Sequence, residues 1–151
     1  MTNVKNLNRL ARTMDRDQVR HETVDEDAAF QLLLCFSARF VAARHRESFE
    51  LQARRWRRGG SGVLEFNEYL ESSTIVEPTT AAEAPLTWLC GQAGSCYRFD
   101  QRAGTPALRL AFPSVPPAWA SSWPGLFVDL DVRRALIISL DLDRLLCASR
   151  S

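Results

Sequence analysis

Residues 28–58 read AAFQLLLCFSARFVAARHRESFELQARRWRR and are followed by Gly59-Gly60-Ser61-Gly62. Apolar residues recur through this run at helical spacing, and glycines just past the last periodic residue are the usual helix stop. Ahead of it, Thr23-Val24-Asp25-Glu26-Asp27 offers cap candidates and acids for a first helical turn. The stretch therefore predicts one long helix. Its apolar face does not stay in one place. Phe30, Leu33, Leu34, Phe40 and Val41 share a stripe, whereas Phe49, Ala53 and Trp56 lie roughly a quarter turn away at about 100° per residue. The helix is expected either to kink near residues 45–48 or to pack its two halves against different surfaces, a partner or a second copy included.

The same stretch is the most basic part of the chain. Seven arginines stand between Arg39 and Arg58, four of them around Trp56. Guanidinium groups fork onto phosphate or carboxylate, and an indole can stack on a base, so the segment has the chemistry of an anion-binding surface. Two observations pull the other way. Cations in the last turn of a helix complement its dipole and its unpaired carbonyls, and Arg54, Arg55, Arg57 and Arg58 point in several directions around the axis. Arg39, Arg46 and Arg57 do share a face, which salt bridges to Glu65, Glu68 or Glu71 or an acidic partner would satisfy.

Charge elsewhere sets the context. Residues 1–37 carry −1, residues 38–58 carry +5 and residues 59–151 carry −3. The isoelectric point near 7.7 argues against a long phosphate-tracking groove, which a dedicated nucleic-acid-binding domain usually advertises with a high value. Lys5 is the only lysine beside eighteen arginines, a bias that GC-rich coding explains as well as guanidinium chemistry does.

The 151 residues fit a single domain, residues 1–151, with enough length for a core. Val4, Leu7, Leu10, Ala11 and Met14 predict an amphipathic helix near residues 3–15, within an N-terminal segment, 1–22, expected to be mobile. Residues 63–70 (VLEFNEYL) read as a strand, and residues 72–85 as a linker or surface loop. Five strands follow from short β-type runs at 86–90, 96–100, 107–112, 126–132 and 135–142, separated by turn chemistry around Gly94 and Gly104. The expected fold is α+β: N-terminal helices, one of them long, packed on a mainly antiparallel sheet of about four to six strands.

Chemistry-bearing motifs are few. Asp129/Asp131 and Asp141/Asp143 form two Asp-Leu-Asp pairs, and paired strands could gather them around Mg²⁺. Register tests this. If Leu126, Val128 and Leu130 share an apolar face with Leu136, Ile138, Leu140 and Leu142, the loop is Val132-Arg133-Arg134, and Leu130 opposes Leu136. Asp129 and Asp141 then lie roughly 13 Å apart. The aspartates are expected to alternate into solvent, and no metal site is assigned. Cys35, Cys90, Cys96 and Cys147 lack zinc spacing. Cys90 and Cys96 are close enough to bridge in an oxidising compartment, but reduced thiols are the expectation. His21 and His45 have no nucleophile motif beside them, and like charge from Arg44 and Arg46 should keep His45 neutral. The glycine run lacks the lysine of a phosphate loop. Trp119 and Trp123 sit in a proline-rich loop, either anchoring it or forming a recognition surface.

No catalytic residue and no cofactor is therefore assigned. The polar N-terminus lacks the apolar region of a signal peptide, and residues 28–43 are too short for a membrane span, so a cytoplasmic location in a bacterial or host cell is expected. The functional expectation is a non-catalytic protein-binding module of the adaptor, secretion-chaperone, immunity-protein or accessory-regulator type. Its partner would be a protein, acidic in one version, with a homodimer as a further expectation. The alternative is a nucleic-acid-binding regulator using the arginine-rich helix end. Candidate contact residues are Arg39, Arg46, Arg54, Arg55, Trp56, Arg57, Arg58, Trp119 and Trp123.

Overall fold

The computed structural model describes residues 4–57, 64–76, 85–102, 104–113, 115–139 and 145–150. In chain order the elements are α1 (Val4–Arg16), β1 (Arg20–Thr23), α2 (Glu26–Phe40), α3 (Arg46–Arg57), β2 (Ile75–Val76), α4 (Pro85–Cys90), β3 (Ser95–Phe99), β4 (Leu108–Ala111), β5 (Gly125–Asp129), β6 (Arg134–Ile138) and β7 (Leu145–Ser149). The strands form one seven-stranded sheet in the order β1-β4-β3-β5-β6-β7-β2, every neighbouring pair antiparallel. The class is α+β, as the sequence predicts.

Helices cover both faces of this sheet. On one face α2 and α3 pack Leu33, Phe36, Phe40, Phe49 and Trp56 onto Phe99, Leu126, Val128, Ala135 and Ile137. On the other, α1, α4 and a short 3-10 helix at Ala118–Ser122 enclose Cys96, Phe127, Leu136, Ile138 and Cys147. Successive side chains of a strand point to opposite faces, so β5 and β6 alternate between two apolar layers rather than between core and water. That is why their sequences are nearly continuous runs of apolar residues.

This two-sided burial corrects the expected register. Val128 opposes Ala135 and Leu126 opposes Ile137, so Leu136 and Ile138 belong to the face opposite Leu126 and Val128. Period-two pairing puts Leu136 and Ile138 with Leu126 and Val128 only where a single face is buried, and here both faces are. Asp129 closes the turn instead of facing solvent idly: its Oδ1 accepts the backbone N–H groups of Arg133 and Arg134 at 2.7 and 2.9 Å. Val132 takes φ +54° in that turn, an unfavourable conformation for a β-branched residue, and it is held there by burial of its side chain. Asp141 and Asp143 lie outside the described residues.

The long helix is two helices. Val41 is extended (φ −83°, ψ 135°), and the chain passes through a 3-10 turn at Ala43–His45 before α3. The break falls a few residues before the expected kink because residues 69–71 supply its hydrogen bonds. Ala42 N–H donates to the Tyr69 carbonyl at 2.8 Å and Glu71 N–H to that of Phe40 at 2.7 Å. Val41 forms a β-bridge with Leu70. Residues 64–70 are therefore not a strand; Leu64 and Phe66 are buried anchors leading into a 3-10 turn at Asn67–Tyr69.

Residues 85–90 are a helix where a strand was expected. Proline at the first helical position is preset for a helix, and Leu86, Leu89 and Cys90 are buried while Thr87 is exposed, a helical rather than alternating pattern. The expected linker, 72–85, contains a 3-10 turn at Ser72–Thr74, strand β2 and the start of α4; residues 77–84 lie outside the described ones. The N-terminal segment 1–22 holds α1 and most of β1.

Candidate functional site

Trp56 and Arg57 end α3 where α2 begins, and both are built into the fold. Trp56 is 6% exposed, its ring centroid 6.3 Å from that of Phe99, and its indole N–H donates to the Asp100 carbonyl at 3.0 Å. Arg57 lies over the Phe30 ring at 4.8 Å and pairs with Asp27 in the first turn of α2. The two helix ends are thereby tied together, base to acid, in the sense both helix dipoles favour.

The other arginines on the predicted shared face are dispersed among internal partners. Arg39 donates to the carbonyls of Asp131 and Val132 at 2.7 and 3.1 Å, clamping the β5–β6 turn. Arg46 donates to the Val41 carbonyl at 3.1 Å, closing the end of α2. Among the described residues neither Arg39, Arg46 nor Arg57 forms an ion pair with Glu65, Glu68 or Glu71; the carboxyl of Glu68 beside Glu65, with some burial, raises the Glu65 pKa instead. Arg54 and Arg55 are exposed. Arg58 lies outside the described residues.

Trp119 and Trp123 pack on the other side of the sheet. The Trp119 indole donates to the Asp17 carboxylate at the end of α1, lowering the pKa of that acid with help from Arg16. The two tryptophan rings lie 6.0 Å apart, and Trp123 meets Phe127 edge-on at 6.0 Å. Above Trp123, at 3.9 Å, sits the guanidinium of Arg98. That residue is only 4% exposed, donates to the Pro124 carbonyl and lies 3.4 Å from Asp100. Burial lowers its pKa to about 10, partly offset by Asp100, so it remains a cation at neutral pH. Nothing in Tyr97-Arg98-Phe99-Asp100 marks Arg98 as a buried strand cation, so it has no signature in the sequence.

Between the start of α2, the end of α3 and the loop before β4 opens a cleft of about 550 Å³. Val24, Ala29, Trp56 and Ala107 give it an apolar floor, and Asp25, Glu26 and Arg57 line it with charge. Asp25 caps α2 by accepting the Ala28 N–H at 3.3 Å. Thr105 also lines the cleft and is 8% exposed. Of these residues, the sequence reading had singled out Trp56 and Arg57 as contacts and Asp25 and Glu26 only as helix-start residues. The floor residues contributed by the loop before β4 carry no local signature.

Among the described residues no group of three His, Cys, Asp or Glu is placed to hold a metal ion. His45 stacks on Tyr69 at 5.0 Å and accepts from Arg44 at 3.2 Å; His21 lies 3.8 Å from Asp15. All four cysteines are free thiols. Contact with Cys90 and burial push the Cys96 pKa well up, and burial raises that of Cys147, so neither is an activated nucleophile. No described helix is long and apolar enough to cross a membrane. Compared with known proteins, the chain matches no family model, no curated protein and no solved structure.

Proposed function

We propose that this protein is a non-catalytic binding module, of the adaptor or accessory-regulator type, that takes an apolar side chain of a protein partner into the cleft at the junction of α2 and α3. The observation that carries this reading is the cleft's division of character: a Trp56 floor, with the acids Asp25 and Glu26 on the α2 side. Arg54 is exposed and stands one turn before Arg57, so it shares the basic α3 side. A partner segment with an apolar residue between a basic and an acidic one complements all three. Burying one Leu- or Phe-sized side chain contributes about 1.5–3 kcal/mol, too little for stable binding alone, so the flanking charges are needed for affinity and orientation. The burial of Trp56 and the internal pairing of Arg57, Arg39 and Arg46 favour this reading over a phosphate surface.

The test is capture of partners from extract of the source cells, with and without nuclease treatment, by the wild-type protein and by Pro106→Trp, which places a bulky ring at the cleft from an exposed lining position. A discrete protein retained by wild type and lost with Pro106→Trp is the expected result. Recovery of nucleic acid alone, or equal retention of the same proteins by both, overturns it.

A further inference from the structure

β1 is the outermost strand of the sheet, and among the described residues β4 is its only strand partner. The phase of the β1–β4 ladder is set by Val24, whose N–H donates to the Ala107 carbonyl at 2.8 Å. Residues that bond to a given neighbour recur every second position in an antiparallel ladder, so Glu22 and Arg20 also turn their backbone groups toward β4. His21 and Thr23 therefore turn theirs outward, to the edge on which no described strand lies. Both Arg20 and Glu22 are exposed, and neither forms an ion pair with a described residue.

We infer that this edge pairs with the same edge of a second copy, antiparallel about a two-fold axis centred on His21. A two-fold axis perpendicular to a sheet keeps each face on its own side, so only registers centred on a residue are allowed. Centred on Glu22 the pairing opposes Glu22 to itself, and centred on Arg20 it opposes Arg20 to itself. Centred on Thr23 it runs into Asp25, the cap of α2. Centred on His21, each Arg20 faces Glu22 of the second copy, twice over, and His21 exchanges both backbone hydrogen bonds with its counterpart. The Arg20–Glu22 positions are then the non-hydrogen-bonded pairs, where side chains approach most closely. Glu22 already opposes Arg109 of β4, so the second copy extends an alternation of charge across the seam. Charges on an edge strand ordinarily deter pairing; this order deters strangers and is complementary to itself. The inference does not depend on the cleft.

Sedimentation velocity over a wide concentration range, with folding checked by circular dichroism, tests it. A reversible monomer–dimer equilibrium is expected for wild type. Glu22→Arg and Arg20→Glu should each weaken dimerisation by about tenfold or more, since like charges then oppose one another twice. The double variant R20E/E22R should dimerise clearly more strongly than either single variant, short of wild type because the arginine at position 22 would then oppose Arg109 within each copy, and an equimolar mixture of the two single variants should form a mixed dimer. A wild type that stays monomeric, a dimer indifferent to the single reversals, or a double variant that fails to recover would each overturn the inference.

Discussion

Removing the Trp56 side chain opens the space against Phe99 and leaves the Asp100 carbonyl without its donor. Trp56→Ala is expected to lose about 3–5 kcal/mol of stability in urea denaturation, the usual cost of truncating a buried aromatic. Trp56→Phe keeps a ring and loses mainly the hydrogen bond, about 1–2 kcal/mol. A Trp56→Ala variant as stable as wild type would contradict the structural role. Arg54→Glu, by contrast, changes an exposed residue and should cost only about 1 kcal/mol or less, from its place in the last turn of α3. The cysteines divide in the same way. Cys35 is half-buried and the other three are buried, so in native protein at neutral pH iodoacetamide should label Cys35 first and reach Cys90, Cys96 and Cys147 only on unfolding. Early labelling of Cys96 would show that its thiol is neither buried nor disfavoured as thiolate. At this scale the sequence was half legible. The basic character around Trp56 could be read from Arg54 to Arg58, but burial of Trp56 depends on Phe99 and Asp100, more than forty positions away.

Among the elements, the quarter-turn shift between Phe30–Val41 and Phe49–Trp56 announced that residues 28–58 could not be one straight helix on one surface. It did not locate the break, because the groups that hold Val41 and Ala42 out of the helix come from Tyr69, Leu70 and Glu71. β1 escaped notice for a related reason: Arg20-His21-Glu22-Thr23 has no apolar face, and its strand character comes from β4 beside it. The start of β5 carries a sharper constraint. Gly125 has φ +143°, and a Cβ there would stand 2.8 Å from the Phe99 carbonyl oxygen. Gly125→Ala should therefore lower the urea midpoint by a clear margin, and an unchanged midpoint would refute that close approach. The link between α1 and the Ala118–Ser122 helix runs through Trp119 and Asp17. Because the folded-state pKa of Asp17 is lowered, the link contributes fully above the unfolded value of about 3.8 and is lost as pH falls through the folded one. Tryptophan fluorescence should show an acid step below about pH 3.8 that Asp17→Asn abolishes. A step unaffected by that substitution would place its origin elsewhere.

For the whole molecule, the decisive fact is a sheet covered on both faces. The apolar strands and the antiparallel class could be read from residues 96–142, while the second covering layer was legible only in α1, from the spacing of Leu10 and Met14. Its other members, α4 and the tryptophan-bearing loop, look respectively like a strand and an irregular connection when taken alone. The same hidden layer misdirected the register of β5 and β6 and concealed why Asp129 sits where it does. With Arg39, Arg46 and Arg57 engaged internally, the end of the molecule at α2 and α3 presents an apolar cleft between acids and bases. The most direct check on the proposed role is photo-crosslinking from a benzophenone side chain placed at position 28, exposed one turn after Asp25 on the α2 side of the cleft, with position 115 as control, in the cells that make the protein. Discrete protein adducts from position 28 that survive nuclease, are absent from position 115 and fade with Pro106→Trp or Arg54→Glu are the predicted result. Adducts that nuclease destroys, or a pattern identical from both positions, would contradict it.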